Sequence, residues 1–144
     1  MGYNRMESAT YLANVLARGF SRSLASRAAA IGFTPGQFPV LVELWAEDGL
    51  TQRQLLDRME IEQATLANTL SRMERDGLVR RDRHPTDRRA QVIVLTERAR
   101  AMEEEAKQAA NDADQRLFAG FRRFEKELML EYIRWAIDNA RKPD

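Results

Sequence analysis

Three polar side chains suited to reading nucleic-acid bases recur at three- and four-residue steps: Thr65, Asn68 and Arg72. This spacing places them on one side of a helix, and the apolar residues of the segment fall on the other. Those apolar residues are Leu66, Leu70 and Met73. Asparagine can bind adenine and arginine can bind guanine through two hydrogen bonds, while threonine can reach a base or a phosphate. The pattern predicts a helix that presents its outer face to DNA, and the alternative is an ordinary solvated surface.

A basic segment follows this helix. From Leu78 to Arg100 there are seven arginines against three acidic residues, giving 7 − 3 = +4, although the whole chain has a net charge of only +1. The next segment, Ala101 to Ala119, has two basic and five acidic residues, giving 2 − 5 = −3. The basic segment could meet an acidic partner with one face of the protein, but from charge alone a solvated surface explains it equally well.

Catalytic and metal-binding patterns are missing from the sequence. It has no cysteine, which excludes disulfides, thiolate ligands and thiol redox chemistry. His84 is the single histidine and cannot supply a zinc site alone, so we interpret it as a residue of a loop. The run Glu103-Glu104-Glu105 is typical of a solvated helix face, and no phosphate loop, nucleophile elbow or triad is present. We therefore predict no enzymatic activity, no cofactor and no metal.

Two short helices joined by a tight turn are predicted around the polar residues. Thr51 and Gln54 form a capping box that opens a helix from Gln52 to Met59. A turn at Glu60-Ile61-Glu62 leads to the second helix, Gln63 to Arg75, which Gly77 closes. Such a pair is a helix-turn-helix.

The flanking segments complete a mainly helical chain. A helical pattern runs from Tyr3 to Ile31 and ends at Gly32. Thr34 and Gln37 predict a second capping box, with Pro35 as the first helical residue and a disturbance at Pro39. After the helix-turn-helix, strands over 78–82 and 90–95 predict a hairpin, and helices follow over 97–117 and from Phe121 to near Pro143.

The landmarks occur in the order found in one family of regulators. They are Phe33-Thr34-Pro35 with Gln37, Gly77-Leu78-Val79-Arg80-Arg81, Pro85-Thr86-Asp87-Arg88-Arg89 and Leu95-Thr96. On these residues the chain resembles the MarR family of bacterial transcription regulators, over roughly 13–99. The resemblance implies a single domain over 1–144, mainly α-helical, with a two-stranded β wing. It implies a winged helix-turn-helix lobe over 34–96 and dimerisation helices over 3–31 and 97–141.

The resemblance also assigns candidate site residues. The implied DNA contacts are Gln63, Thr65, Asn68, Arg72, Arg75, Arg88 and Arg89. Asp87 would brace the wing together with Arg89, and either Arg88 or Arg89 would enter the minor groove, which the sequence does not decide. One departure is Glu62, where the family commonly has a small capping residue, because glutamate is a poor N-cap. The operator sequence of a relative therefore does not transfer directly to this chain.

Partners follow from the same resemblance. They are double-stranded DNA, a second copy of the chain and a small aromatic effector, which would lie against Arg18, Arg22, Phe38 and Trp45. Packing and surface ion pairs are the alternative roles of those four residues. We expect the Ala-rich stripe of the 97–117 helix and the long first helix to need a partner for burial. A cytoplasmic repressor without membrane spans is the expected class, and a protein-binding helical module and a small enzyme are the rivals.

Overall fold

The computed structural model describes residues 2–144, within which the chain forms seven α-helices and one β-hairpin. The helices are α1 (Ala9–Ile31), α2 (Phe38–Ala46), α3 (Gln52–Met59), α4 (Gln63–Arg75), α5 (Glu97–Ala101), α6 (Glu103–Leu117) and α7 (Arg123–Ala140). A short 3-10 helix, Arg5–Glu7, precedes α1, and the strands are β1 (Val79–Arg83) and β2 (Gln91–Leu95). The mainly helical fold with a two-stranded wing is as predicted.

The helix-turn-helix has the predicted boundaries because its end signals are strong. Thr51 Oγ1 accepts from the Gln54 amide at 3.1 Å, and Gln54 Oε1 accepts from the Thr51 amide at 2.8 Å. This capping box fixes the start of α3. Gly77, at φ +73°, takes the left-handed conformation that ends α4.

The start of α2 differs from the prediction. Gln37 Oε1 accepts from the Thr34 amide at 3.0 Å, as half of a capping box, but a turn intervenes and α2 begins at Phe38. Pro39 therefore lies in the first helical turn, where an amide would have no helical partner. The rings of Phe33 and Phe38 stack across this turn with centroids 5.6 Å apart.

The core joins the helix-turn-helix to the hairpin. The inner face of α4 is fully buried, as predicted, with Leu66, Leu70 and Met73 at 0% exposure. Other buried members are Val40, Leu41, Leu44, Leu50, Leu55, Leu78, Ile93 and Leu95. This burial fixes which side of α4 faces outward.

The Ala-rich stripe is buried within the chain, which corrects the expectation that it needs a partner. Ala99, Ala106 and Ala113 are 0–1% exposed, and α6 packs along α1. Ser23 Oγ of α1 donates to the Ala113 carbonyl at 3.0 Å. Small residues allow the two helices to approach closely, so one protomer suffices to cover them. The predicted 97–117 helix is also interrupted at Met102, which separates α5 from α6.

The last helix exposes a large apolar surface. No residue of α7 is buried within the described part of the chain. Its exposed apolar side chains are Phe124, Leu128, Tyr132, Ile133, Trp135 and Ile137, and Phe121 precedes them. A groove of about 940 Å³ lies between α7 and the start of α1. Among residues 2–144, no helix is long and apolar enough to cross a membrane.

Candidate nucleic-acid interface

The polar face of α4 is accessible along its whole length. Gln63, Thr65, Asn68, Arg72 and Arg75 are all exposed, opposite the buried apolar face. Arg75 differs from the others because its Nε lies 3.2 Å from Asp76 Oδ1. The arrangement leaves Asn68 and Arg72 at the middle of an unobstructed helix face.

A buried glutamine holds the C-terminal end of α4. Gln37 is 4% exposed and its Nε2 donates to Asp76 Oδ2 at 2.9 Å. This hydrogen bond, followed by that from Arg75, lowers the pKa of the Asp76 carboxyl from its ordinary value. Arg98 of α5 donates to the backbone carbonyl of Asp76. The end of the helix is therefore connected both to the turn before α2 and to α5.

Gln37→Ala should reduce the free energy of unfolding by about 1–3 kcal/mol, because it removes the acceptor of the Thr34 amide and one of the two side-chain donors to the Asp76 carboxylate. Chemical denaturation followed by circular dichroism measures the loss. Gln115→Ala, at an exposed position of α6, is the control and should change stability by less than about 0.5 kcal/mol. Equal stability of the two variants would contradict this role of Gln37.

The wing is fastened to the helix-turn-helix at its base. β1 and β2 pair antiparallel from Val79 opposite Leu95 to Arg83 opposite Gln91. Leu50, just before α3, accepts from the Ile93 amide at 2.7 Å through its carbonyl. Asp48, two residues earlier, accepts from the Leu95 amide at 2.9 Å through its Oδ1. These bonds set the position of the hairpin relative to α3.

The tip of the wing is organised by His84 and Asp87. The Nδ1 atom of His84 accepts from the amides of Thr86 at 3.2 Å and Asp87 at 3.0 Å. Asp87 Oδ1 accepts from the Arg89 amide at 3.0 Å. The sequence placed His84 in this loop but gave no sign of its acceptor role, since histidine has no fixed turn preference.

Asp87 contacts the backbone of Arg89 more closely than its side chain. The Arg89 Nε lies 3.8 Å from Asp87 Oδ1, and the Arg89 side chain is 95% exposed. Arg88 is also exposed, and among residues 2–144 its side chain makes no hydrogen bond or ion pair. Both arginines are therefore accessible, and Arg88, unlike Arg89, has no carboxylate beside it among the described residues.

The basic segment is less basic in the fold than in the sequence. Four of its seven arginines form ion pairs with a carboxylate. Those pairs are Arg80 with Asp82 at 3.2 Å, Arg81 with Glu74 at 3.2 Å, Arg89 with Asp87 at 3.8 Å and Arg100 with Asp48 at 3.3 Å. Arg98 donates to the backbone carbonyl of Asp76, and among residues 2–144 the side chains of Arg83 and Arg88 have no hydrogen-bond or ion-pair partner. The unneutralised charge is therefore concentrated on the wing.

The four proposed ligand contacts are only partly brought together. The rings of Phe38 and Trp45 meet edge to face with centroids 6.0 Å apart, and Trp45 Nε1 donates to the Ala99 carbonyl at 3.0 Å. Arg18 and Arg22 lie exposed on α1. A cavity of about 540 Å³ beside Phe38 is not lined by Arg18, Arg22 or Trp45. Both aromatic side chains therefore have packing roles.

Glu62 occupies the N-cap position of α4, as the sequence suggested. Its backbone is extended, at φ −65° and ψ 140°, and its side chain makes no capping hydrogen bond. The preceding Glu60 ends α3 at φ +55°. Because Glu60 Oε1 accepts from Arg141 Nε at 2.7 Å, the carboxylate of Glu62 is the one that opposes the approach of a phosphate at this turn.

These features define a winged helix-turn-helix protein, and sequence comparisons place it more narrowly. The sequence model of the MarR family matches residues 33–90. Transcriptional regulator HosA of Escherichia coli O111:H- is 30% identical over 101 residues, which cover 70% of this chain and 75% of HosA. The HTH-type transcriptional regulator TtmR of Methylorubrum extorquens is 36% identical over 86 residues, 60% of this chain and 44% of TtmR. The chain thus spans less than half of TtmR.

Solved structures share the architecture. A MarR transcriptional regulator from Methanosarcina mazei Go1 superposes with a TM-score of 0.76 at 29% identity, covering 88% of this chain and 91% of the other. Bordetella bronchiseptica BpsR, whose DNA binding is regulated by 6-hydroxynicotinic acid, gives 0.84 at 23% identity, covering 96% and 99%. The chain belongs to the MarR family of transcriptional regulators. This confirms the predicted family and a regulatory rather than an enzymatic class.

Proposed function

We propose that the chain binds double-stranded DNA sequence-specifically, as a homodimer on a pseudo-palindromic operator, and acts as a repressor. The observation that supports this best is the division of α4 into a fully buried apolar face and an exposed face with Asn68 and Arg72. Residues of these types at the centre of a recognition helix are suited to base edges in the major groove. The adjoining wing has accessible arginines suited to the flanking minor groove.

Selection of bound sequences from a random duplex pool tests this function. A two-fold symmetric operator is expected, with half-sites whose centres are about 34–36 Å apart or a multiple of that distance. Affinity should fall steeply with salt because phosphate contacts release counterions. Failure to enrich any sequence, with no salt-dependent binding, would favour the rival class of a protein-binding helical module.

Dimerisation is proposed through residues 3–31 and 97–141, with the DNA-binding lobe over 34–96 of a single domain. The support comes from the exposed apolar side chains of α7, such as Leu128 and Trp135, and from the groove of about 940 Å³ between α7 and α1. Isolated apolar side chains are normal on a surface, but a continuous apolar face indicates an interaction site. Light scattering should give twice the protomer mass of 16.6 kDa.

A small aromatic effector is proposed to relieve repression. BpsR, which shares the fold, is regulated by such a molecule. The candidate contacts remain Arg18 and Arg22 on α1 and Phe38 and Trp45 on α2. Because this sequence has no cysteine, relief by thiol oxidation is excluded for it. Calorimetric titration with aromatic carboxylates, compared between the chain and Trp45→Ala, tests the site.

Arg88→Ala should flatten the slope of log K against log salt by up to about 2 units, since each neutralised phosphate contributes about 0.9 and a dimer has two wings. Asp87→Ala should disturb the wing, because it removes the acceptor of the Arg89 amide. Arg89→Ala retains that backbone bond and should disturb the wing less. Salt titrations with thermal melts separate these effects, and an unchanged slope for Arg88→Ala would exclude a phosphate contact there.

A further inference from the structure

Arg83, at the end of β1, is exposed, and its side chain forms no hydrogen bond or ion pair among residues 2–144. Its neighbours in the strand differ. Arg80 is paired with Asp82, and Arg81 lies 3.2 Å from Glu74 and 3.3 Å from Gln52. Arg83 is therefore an arginine at the outer end of the wing's strands, next to the tip, whose charge the protein itself leaves uncompensated.

The strand register gives the direction of this side chain. Alternate residues of a strand share a face, so Arg83 lies on the same side as Val79 and Arg81. Val79 is 3% exposed, and Arg81 contacts α3 through Gln52 and α4 through Glu74. This face is packed on the helix-turn-helix, and Arg83 is the next residue outward along it.

The residue opposite Arg83 carries an uncharged hydrogen-bond donor. Gln91 of β2 pairs with Arg83 in the register and is exposed. Side chains directly opposite each other in an antiparallel pair have Cβ atoms about 4.5–5.5 Å apart. A guanidinium and an amide group therefore adjoin each other, a combination suited to one phosphate group.

We propose that Arg83, assisted by Gln91, contacts a DNA backbone phosphate from the outer end of the wing's strands, independently of Arg88. The inference rests on the proposed function, and it adds a contact that supplies affinity without sequence information. Arg80 has the opposite orientation and a carboxylate partner, so it takes no part. The strand pair and the tip loop thus have separate cationic positions, Arg83 and Arg88.

The test is a salt titration, because a structural role would not change the salt slope. Fluorescence anisotropy measures binding to a mixed-sequence duplex about three DNA turns long, from about 50 to 200 mM salt. Arg83→Gln should flatten the slope by about 2 units for two wings, so that its affinity deficit shrinks roughly tenfold over this range. Arg83→Lys should retain the slope, because a point charge suffices for a phosphate.

Two further variants make the result specific. Gln91→Glu places a carboxylate opposite Arg83 and should reproduce the flattened slope without altering β1. Arg80→Gln removes an arginine from the other face and should leave the slope unchanged. Arg83→Gln and Arg83→Lys should melt like the original chain, since the Arg83 side chain has no partner to lose.

The outcomes separate this inference from the proposed function. If the original chain shows no salt-dependent binding to the duplex, the proposed function fails and the contact fails with it. If the chain binds but Arg83→Gln keeps the original slope, only the contact at Arg83 is overturned. A lysine variant that behaves like the glutamine variant would also overturn it, because charge alone should be sufficient.

Discussion

Leu128→Glu should convert the proposed dimer into a monomer of 16.6 kDa and reduce operator affinity by about 10²–10⁴-fold. Leu128 is 40% exposed on α7 and lines the groove beside α1, so a charge there would have to be desolvated in an apolar interface. The loss of affinity is large because two linked recognition helices bind far more tightly than one. Light scattering and operator binding on the same sample measure both effects.

The control for this variant is Glu131→Gln, an exposed position on the same helix, which should remain dimeric and bind normally. Circular dichroism establishes that α7 stays helical in both. If the original chain is already monomeric at micromolar concentration, dimerisation is refuted. If Leu128→Glu stays dimeric, the interface does not include this face of α7.

Asn68→Ala and Arg72→Ala should each weaken operator binding by about 1–3 kcal/mol and reduce discrimination at one base position per half-site. Both residues are exposed at the middle of α4, where a recognition helix meets base edges. Competition binding with single-base operator variants locates the position that each residue reads.

Matched controls lie on α6, outside the proposed DNA-binding lobe over 34–96. Asn111→Ala and Arg116→Ala remove the same groups from exposed positions and should leave affinity within about 0.5 kcal/mol. If Asn68→Ala or Arg72→Ala weakens binding to operator and random DNA equally, that residue contacts phosphate only. No effect of either would refute α4 as the recognition helix.

The helix-turn-helix could be predicted because its signals are local. A capping box at Thr51, a glycine at position 77 and a 3.6-residue apolar period fix α3 and α4 without reference to the remaining chain. The start of α2 was predicted wrongly, because Thr34 and Gln37 form only part of their box and a turn replaces the first helical residues. The burial of the alanine stripe required knowledge of a contact between Ser23 and Ala113, 90 residues apart.

At the candidate site, too, local patterns were predictable from the sequence and contacts between distant residues were not. Helical periodicity predicted the outward position of Asn68 and Arg72, because burial of one face determines the other. The pairing of the arginines was not predictable, since Arg100 meets Asp48 across 52 residues and Arg81 meets Glu74 across a change from helix to strand. Sequence charge therefore overstated the basic character of the segment and could not single out Arg83.

The two tryptophans of the chain lie in different environments, so their fluorescence can report two different events. Trp45 is half-buried between α2 and α5, with the Lys107 ammonium 5.7 Å from its ring, whereas Trp135 is 63% exposed on α7. Indole emission shifts to shorter wavelength when water is removed, so dilution of a dimer held through α7 should red-shift the emission of Trp135. In a Trp135→Phe variant the remaining emission comes from Trp45, and its quenching would report a molecule that enters beside Phe38 without any added label.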